Sequence, residues 1–273
     1  MGVLTSSLTL LLFGCLTGVL TVLFGFGGGF VTVPVLYAYL TLTAPSGADA
    51  MHVAVATSAA VMAVNALVAA VGQWRQGRLH RDYLWPLAGW IALGAAAGSF
   101  GTTLLGGTEL RLLFAVYLLV TIADSVLRKG FLTVGAEQRP RPLGRATTTF
   151  GGTGIGLVAA GLGVGGSVMT VPLLRRRGLP MVEATAMANP LSVPVAVAGS
   201  LVYAFAPGAP AHLGQAGQLG YVDLTAGCAL LLGSLPTIAL VRRVTGRVPD
   251  RVHSIAYVTL LVVVLLVMAA TGA

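Results

Sequence analysis

Residues 25–36 read GFGGGFVTVPVL, and residues 163–174 read GVGGSVMTVPLL. The two stretches lie 138 positions apart in a chain of 273 residues, close to half its length. One unit, a glycine break followed by a Thr-Val-Pro step, is therefore expected twice, at 1–130 and 146–273, joined by a basic linker at 131–145. Weaker matches agree. Glu109, Arg111 and Tyr117 resemble Asp250, Arg251 and Tyr257 in order and spacing, and Gly98-Ser99 resembles Gly233-Ser234. An apolar helix follows each break, 52–70 with ATS at 56–58 and 183–201 with MANP at 187–190, which gives the two helices an approximate register.

Hydrophobic residues make up 56% of the chain and charged residues 9%, with a mean hydropathy of +0.90. That is too little polar surface to cover a soluble globule, so an all-α integral membrane protein is expected. Apolar runs such as 84–105, 222–241 and 254–270 each come near the roughly 20 residues a helix needs to cross the hydrocarbon core. No Lys or Arg precedes Arg75, so the positive n-region of a cleaved signal peptide is missing and the first apolar segment is expected to stay. Cys15 and Cys228 stand singly in different halves, which fits neither a disulfide framework nor a metal motif, and no cofactor is expected. The net charge of +8 comes from arginines between apolar runs, where orientation in the membrane explains them better than nucleic acid does.

The basic residues decide the topology. If both glycine breaks crossed straight through, there would be eight spans and the sixteen Lys and Arg would divide eight and eight. If each break is instead a reversal, so that 5–44 and 146–174 enter the membrane and return, fifteen of the sixteen share one side and only Arg111 is opposite. By the positive-inside rule that side is the cytoplasm, and both termini face outward. Each half is then a glycine-broken re-entrant helical hairpin plus three transmembrane helices. An odd number of crossings turns the second half upside down, giving an inverted-topology repeat. The second arm of the first hairpin, residues 30–42, would reach about 20 Å at 1.5 Å per residue, midway or a little beyond.

In hydrocarbon an unpaired backbone N–H or C=O costs several kcal/mol, so a break at depth persists only against protein or a water-filled cavity. Gly27, Gly28 and Gly29, and Gly165, Gly166 and Ser167, are expected at such breaks, each just ahead of a short helix. Two helix starts converging from opposite sides bring two positive dipole ends together, an anion site without a cationic side chain. Pro34 and Pro172 suit an early-turn position there. Thr32 and Thr170, one turn in, offer hydroxyls. Thr57, Ser58 and Asn65 in one long helix, with Asn189 and Ser192 in the other, add neutral donors, and Pro190 and Pro194 loosen that second helix. The plainer reading is that the glycines allow close helix packing and the polar groups bond between helices, worth about 0.6–2 kcal/mol each.

No Asp, Glu, Lys or Arg falls at the centre of an expected span, so a buried proton relay is not evident. Asp49, Glu183 and Asp223 are placed to cap helices, Asp124 lies a turn from the cytoplasmic end, and His52 is read as an interfacial histidine without a duty. Neither a Ser/His/Asp set nor a nucleotide loop occurs, and an enzyme is not expected.

The doubled G-x-G-G-G/S-x-x-T-V-P-x-L motif, the ATS helix and the basic central loop resemble the TauE/SafE sulfite-exporter family over nearly the whole chain. The resemblance implies transport of small sulfur-containing anions, such as sulfite or organosulfonates, across the cytoplasmic membrane. The second copy departs from the first at Ser167, where the first has Gly29, and with MAN where the first has ATS. The expected protein is thus an exporter that binds one anion at the midplane and works by alternating access. A passive anion channel, an importer, and a membrane enzyme or accessory subunit are the alternatives. The expected partners are the anion and the lipid bilayer; a homodimer is compatible with the sequence.

Overall fold

The computed structural model describes residues 3–43, 49–77, 79–127, 142–206, 217–243 and 249–270. The first half contains α1 (Val3–Phe24), α2 (Gly29–Thr43), α3 (Ala50–Arg75), α4 (Arg81–Thr102) and α5 (Gly107–Leu127). The second contains a π-helical turn (Thr147–Gly151) running into α6 (Gly152–Gly161), then α7 (Ser167–Arg176), α8 (Met181–Ala204), α9 (Leu224–Val241) and α10 (Asp250–Ala270). Of the expected linker, 131–141 lie outside the described residues. Helices α3, α4, α5, α8, α9 and α10 are long and apolar enough to cross a membrane, whereas the apolar helices on either side of the first break, Leu8–Phe24 and Gly29–Leu42, are shorter. The chain is a multi-pass α-helical membrane protein.

One element was not expected from the sequence. Between α8 and α9 a two-stranded ladder forms, β1 (Gln218–Leu219) with β2 (Val222–Asp223), and pairs Gln218 with Asp223. Asp223 ends it by accepting from the N–H groups of Thr225 and Ala226, the capping role read for that residue.

Helix pairs recur when the halves are exchanged. α1 packs along α9 as α6 packs along α4, α2 lies on α3 as α7 lies on α8, and α3 meets α9 as α8 meets α4; α3 and α8 pack on each other, as do α5 and α10. Glycines let the first of these pairs close. A Cβ at Gly18 would stand 2.6 Å from Ser234 O, and one at Gly156, 138 positions on, would stand 2.0 Å from Ile91 O. Small residues at such contacts let backbones approach, which is what holds helices together where lipid removes the hydrophobic drive. The same contacts correct one match. Gly98 faces Leu157 O, whereas Gly233 faces Leu11 O, so Gly98-Ser99 and Gly233-Ser234 do not occupy equivalent places.

Side-chain ties draw one set of helix ends together. Arg176 pairs with Asp124, His80 meets Glu183 at 3.0 Å, His253 reaches Leu23 O, and Arg177 donates to Pro142 O at 3.2 Å and Thr147 at 3.4 Å. This basic end gathers the last turns of α1, α3, α5, α7 and α9 and the first turns of α4, α8 and α10. Glu183 serves there as the hydrogen-bond partner of His80, and Asp49 makes no side-chain cap. At the opposite end His52 is buried, its ring stacked on Tyr221 at 5.3 Å.

Candidate functional site

Each break is a backbone device. Gly25 and Gly163 adopt φ of 73° and 64°, and a Cβ would lie 2.4 Å from Thr185 O at the first and 2.8 Å from Val55 O at the second. Left-handed backbone and contact with another helix's carbonyl together admit only glycine. The helix that follows starts with Thr32 N bonded to Gly28 O at 3.1 Å in the first copy, and Thr170 N to Gly166 O at 2.8 Å in the second. The N–H groups of Gly29 to Val31, and of Ser167 and Val168, lie ahead of the helix ladder, whereas Met169 N already bonds Gly166 O at 3.1 Å. Pro34 and Pro172 fall in the second turn, not the first. Pro172 thereby leaves Val168 O without its helix donor, and the Tyr257 hydroxyl supplies one at 3.1 Å.

The two breaks touch. A Cβ on Gly29 would stand 2.8 Å from Gly163 O, and one on Gly165 would stand 2.7 Å from Phe26 O. Ser58 Oγ lies 2.9 Å from Gly29 O and 3.0 Å from Gly163 O, so one hydroxyl of α3 ties the copies together. Its single proton serves two carbonyls. Around Gly165, Cβ space is taken up by Ser192 Oγ at 2.9 Å and Ser167 Oγ at 3.1 Å, while Asn65 Nδ2 lies 3.1 Å from the Cβ position of Gly28. Every one of these polar side chains is buried, as are Thr32, Thr170 and Asn189.

Some of these groups are already satisfied and some are not. Thr32 Oγ1 donates to Gly28 O at 2.8 Å and Ser192 Oγ to Ala188 O at 2.9 Å. Asn65 accepts from Ser234 Oγ at 2.8 Å, and Asn189 Nδ2 donates to Thr21 O at 3.1 Å; the Thr21 carbonyl fixes the Asn189 amide orientation. That leaves Asn65 Nδ2, Thr170 Oγ1 and Asn189 Oδ1 buried without a partner. Each such atom costs about 1–3 kcal/mol unless something binds it.

Of the residues picked from the sequence, Gly27, Gly28, Gly29, Ser58, Asn65, Gly165, Gly166, Ser167 and Ser192 meet at the breaks. Thr170 stands one turn inside α7 and Asn189 beside α1. Thr57 does not join them: its hydroxyl accepts from the Asp223 N–H on β2 at 2.9 Å. Glycine contacts also fix the register of α3 against α8. Gly25 meets Thr185 and Gly163 meets Val55; Gly27 meets Met62 and Gly165 meets Ser192; Gly28 meets Asn65 and Gly166 meets Val195. Each pair is offset by 130, one residue from the ATS–MAN alignment, so Asn189 stands opposite Ala59 and Asn65 opposite Val195. The donors of the two halves thus alternate instead of repeating.

Tyr203 carried no signal in the sequence. It is fully buried at the end of α8, with its hydroxyl 2.9 Å from Gly161 O and 2.6 Å from Thr102 Oγ1. Tyr221 N bonds to Tyr203 O at 3.2 Å, which lays the β1–β2 turn over it. Burial, then the Asp49 charge, pushes the Tyr221 phenol above its ordinary range. The Tyr203 hydroxyl so binds the last residue of α6, just ahead of the second break. Among the described residues no His, Cys, Asp and Glu cluster could hold a metal ion. What remains is a neutral site of helix starts, hydroxyls and amides, suited to an oxyanion.

The sequence profile of the family described as Sulfite exporter TauE/SafE matches residues 10–268. A protein of Haemophilus influenzae named "Probable membrane transporter protein" is 26% identical over 262 residues, 95% of this chain and 97% of that one. No solved structure matches the chain.

Proposed function

Because the chain belongs to the Sulfite exporter TauE/SafE family, a family of membrane transporters, we propose that it carries one small sulfur oxyanion or organosulfonate, bound between the two glycine breaks. The observation that carries this reading is the contact between the breaks through Ser58, with two donors, Asn65 Nδ2 and Thr170 Oγ1, left unspent around it. Taking an anion there requires the two arms to part, and that is the movement alternating access needs.

The recurrence of helix pairs under exchange of halves supports an inverted repeat. The bonds from Arg177 to Pro142 and Thr147, the last and first turns of one broken segment, support a re-entrant second hairpin. The basic end is then cytoplasmic and both termini face outward, by the positive-inside rule. An anion leaving a cell that is negative inside gains about 2.3 kcal/mol per charge per 100 mV, so export proceeds without a carboxylate relay.

Purified protein in liposomes loaded with labelled sulfite or sulfoacetate should show saturable flux. An absence of flux for every sulfur anion tried overturns the reading, and rates far above carrier turnover replace the carrier with a channel.

A further inference from the structure

On the basic side of the breaks a crevice opens between α1, α3, α8 and α9, with Val22, Thr185, Gln73, Gln76 and Arg242 among its walls. Its inner wall lies next to the site: Val22 follows Thr21, whose carbonyl holds Asn189, and Thr185 is one turn before Asn189. Arg242 is at its mouth. Among the described residues its guanidinium has neither a carboxylate nor a hydrogen-bond partner, unlike Arg176, which pairs with Asp124. It is nevertheless positioned: Nη1 would stand 3.4 Å from a Cβ on Gly72, so the missing side chain of Gly72 is what lets the guanidinium lie against α3. A fork of N–H donors next to the amides of Gln73 and Gln76 matches the geometry of a carboxylate, sulfite or sulfonate group.

We propose that Arg242, with Gln73 and Gln76, forms a capture site where the anion first docks on the basic face before passing Thr21 and Asn189. The proposal rests on the carrier reading for its destination and not for its binding chemistry. An orientation-only role for Arg242 would leave saturation untouched; a capture role acts on half-saturation from one face.

Two measurements separate the proposal from the carrier reading: sulfoacetate flux from each face of oriented vesicles, and equilibrium binding of labelled sulfoacetate to purified protein. Arg242→Gln should raise half-saturation from the basic face and the dissociation constant about ten-fold, the loss of one charge-assisted hydrogen bond. Maximal flux from the basic face and half-saturation from the other face should stay unchanged, while maximal flux from the other face falls by the same factor, since an uncoupled carrier keeps one ratio of maximal flux to half-saturation in both directions. Arg242→Lys should recover part of the loss, and Gly72→Leu, which keeps the charge but moves it, should show the same defect as Arg242→Gln. Equal half-saturation and equal binding in wild type and Arg242→Gln overturn the capture site while leaving the carrier intact. Binding that depends on Arg242, with no flux in wild type, overturns the carrier and keeps the site; no binding to wild type overturns both.

Discussion

On one side of the paired breaks, Tyr203 fills the space between α8, α6 and α4, tied to Gly161 O and Thr102 and covered by the β1–β2 turn. On the other, the position of α3 that matches it at the 130-residue offset is Gln73, which leaves a crevice walled by Gln76, Thr185 and Arg242. The frame is the same and the closure is not. A buried phenol with two partners ties α8 to α6 and α4, whereas the Gln73 amide oxygen is buried without a partner. The difference teaches that positions matched between the halves can be packed differently, with a bonded phenol at one end and an unbonded amide oxygen at the other.

The most severe way to break the comparison is to attack what the halves share. Gly25→Ala and Gly163→Ala each force a Cβ into another helix's carbonyl at positive φ, so each should cost about 2–4 kcal/mol, read as a large fall in the thermal unfolding temperature. If one substitution is harmless, the two breaks are not equivalent. Next comes an exchange of the closures. Tyr203→Phe leaves Gly161 O and Thr102 without their phenol, about 1–3 kcal/mol, and should make a cysteine placed at Ala206 easier to label from the outer face. Gln73→Tyr should do the reverse at the basic end, lowering flux from that face about ten-fold while leaving the fold intact. Labelling that ignores both changes would mean the two residues do not govern access. The smallest effect belongs to Thr57→Val, which removes the partner of Asp223 N–H: about 1 kcal/mol of stability and no change in anion affinity, measured by thermal shift with and without ligand.

Much of this was legible in the sequence because glycine breaks in an apolar chain have few physical uses. The 138-residue offset holds from Gly14 and Gly18 through Pro34, and so the arms, the breaks and the short helices could be read directly. The offset then falls to 130 in α3 and α8, since the connections ahead of them differ in length, so the motifs at 56–58 and 187–189 lie one residue out of register. Tyr203, Gln73 and Arg242 were not legible for a related reason: each gains its role only from what packs across it, and nothing in the local pattern marks a terminal tyrosine as a plug. Tyr257 was noticed as a repeat partner of Tyr117; its bond to the carbonyl freed by Pro172 gives the physical reason.

The central claim is that an anion binds between the breaks through donors the fold leaves unspent. Thr32 and Thr170 hold the same place in the two copies, but the Thr32 hydroxyl is bonded to Gly28 O while the Thr170 hydroxyl is free. Thermal-shift titration with sulfite and sulfoacetate of wild type, Thr32→Val and Thr170→Val therefore tests it most directly. The anion should stabilise wild type and Thr32→Val at similar concentrations, and Thr170→Val should need about ten-fold more. Equal stabilisation of all three proteins would remove these hydroxyls from the site and contradict the account.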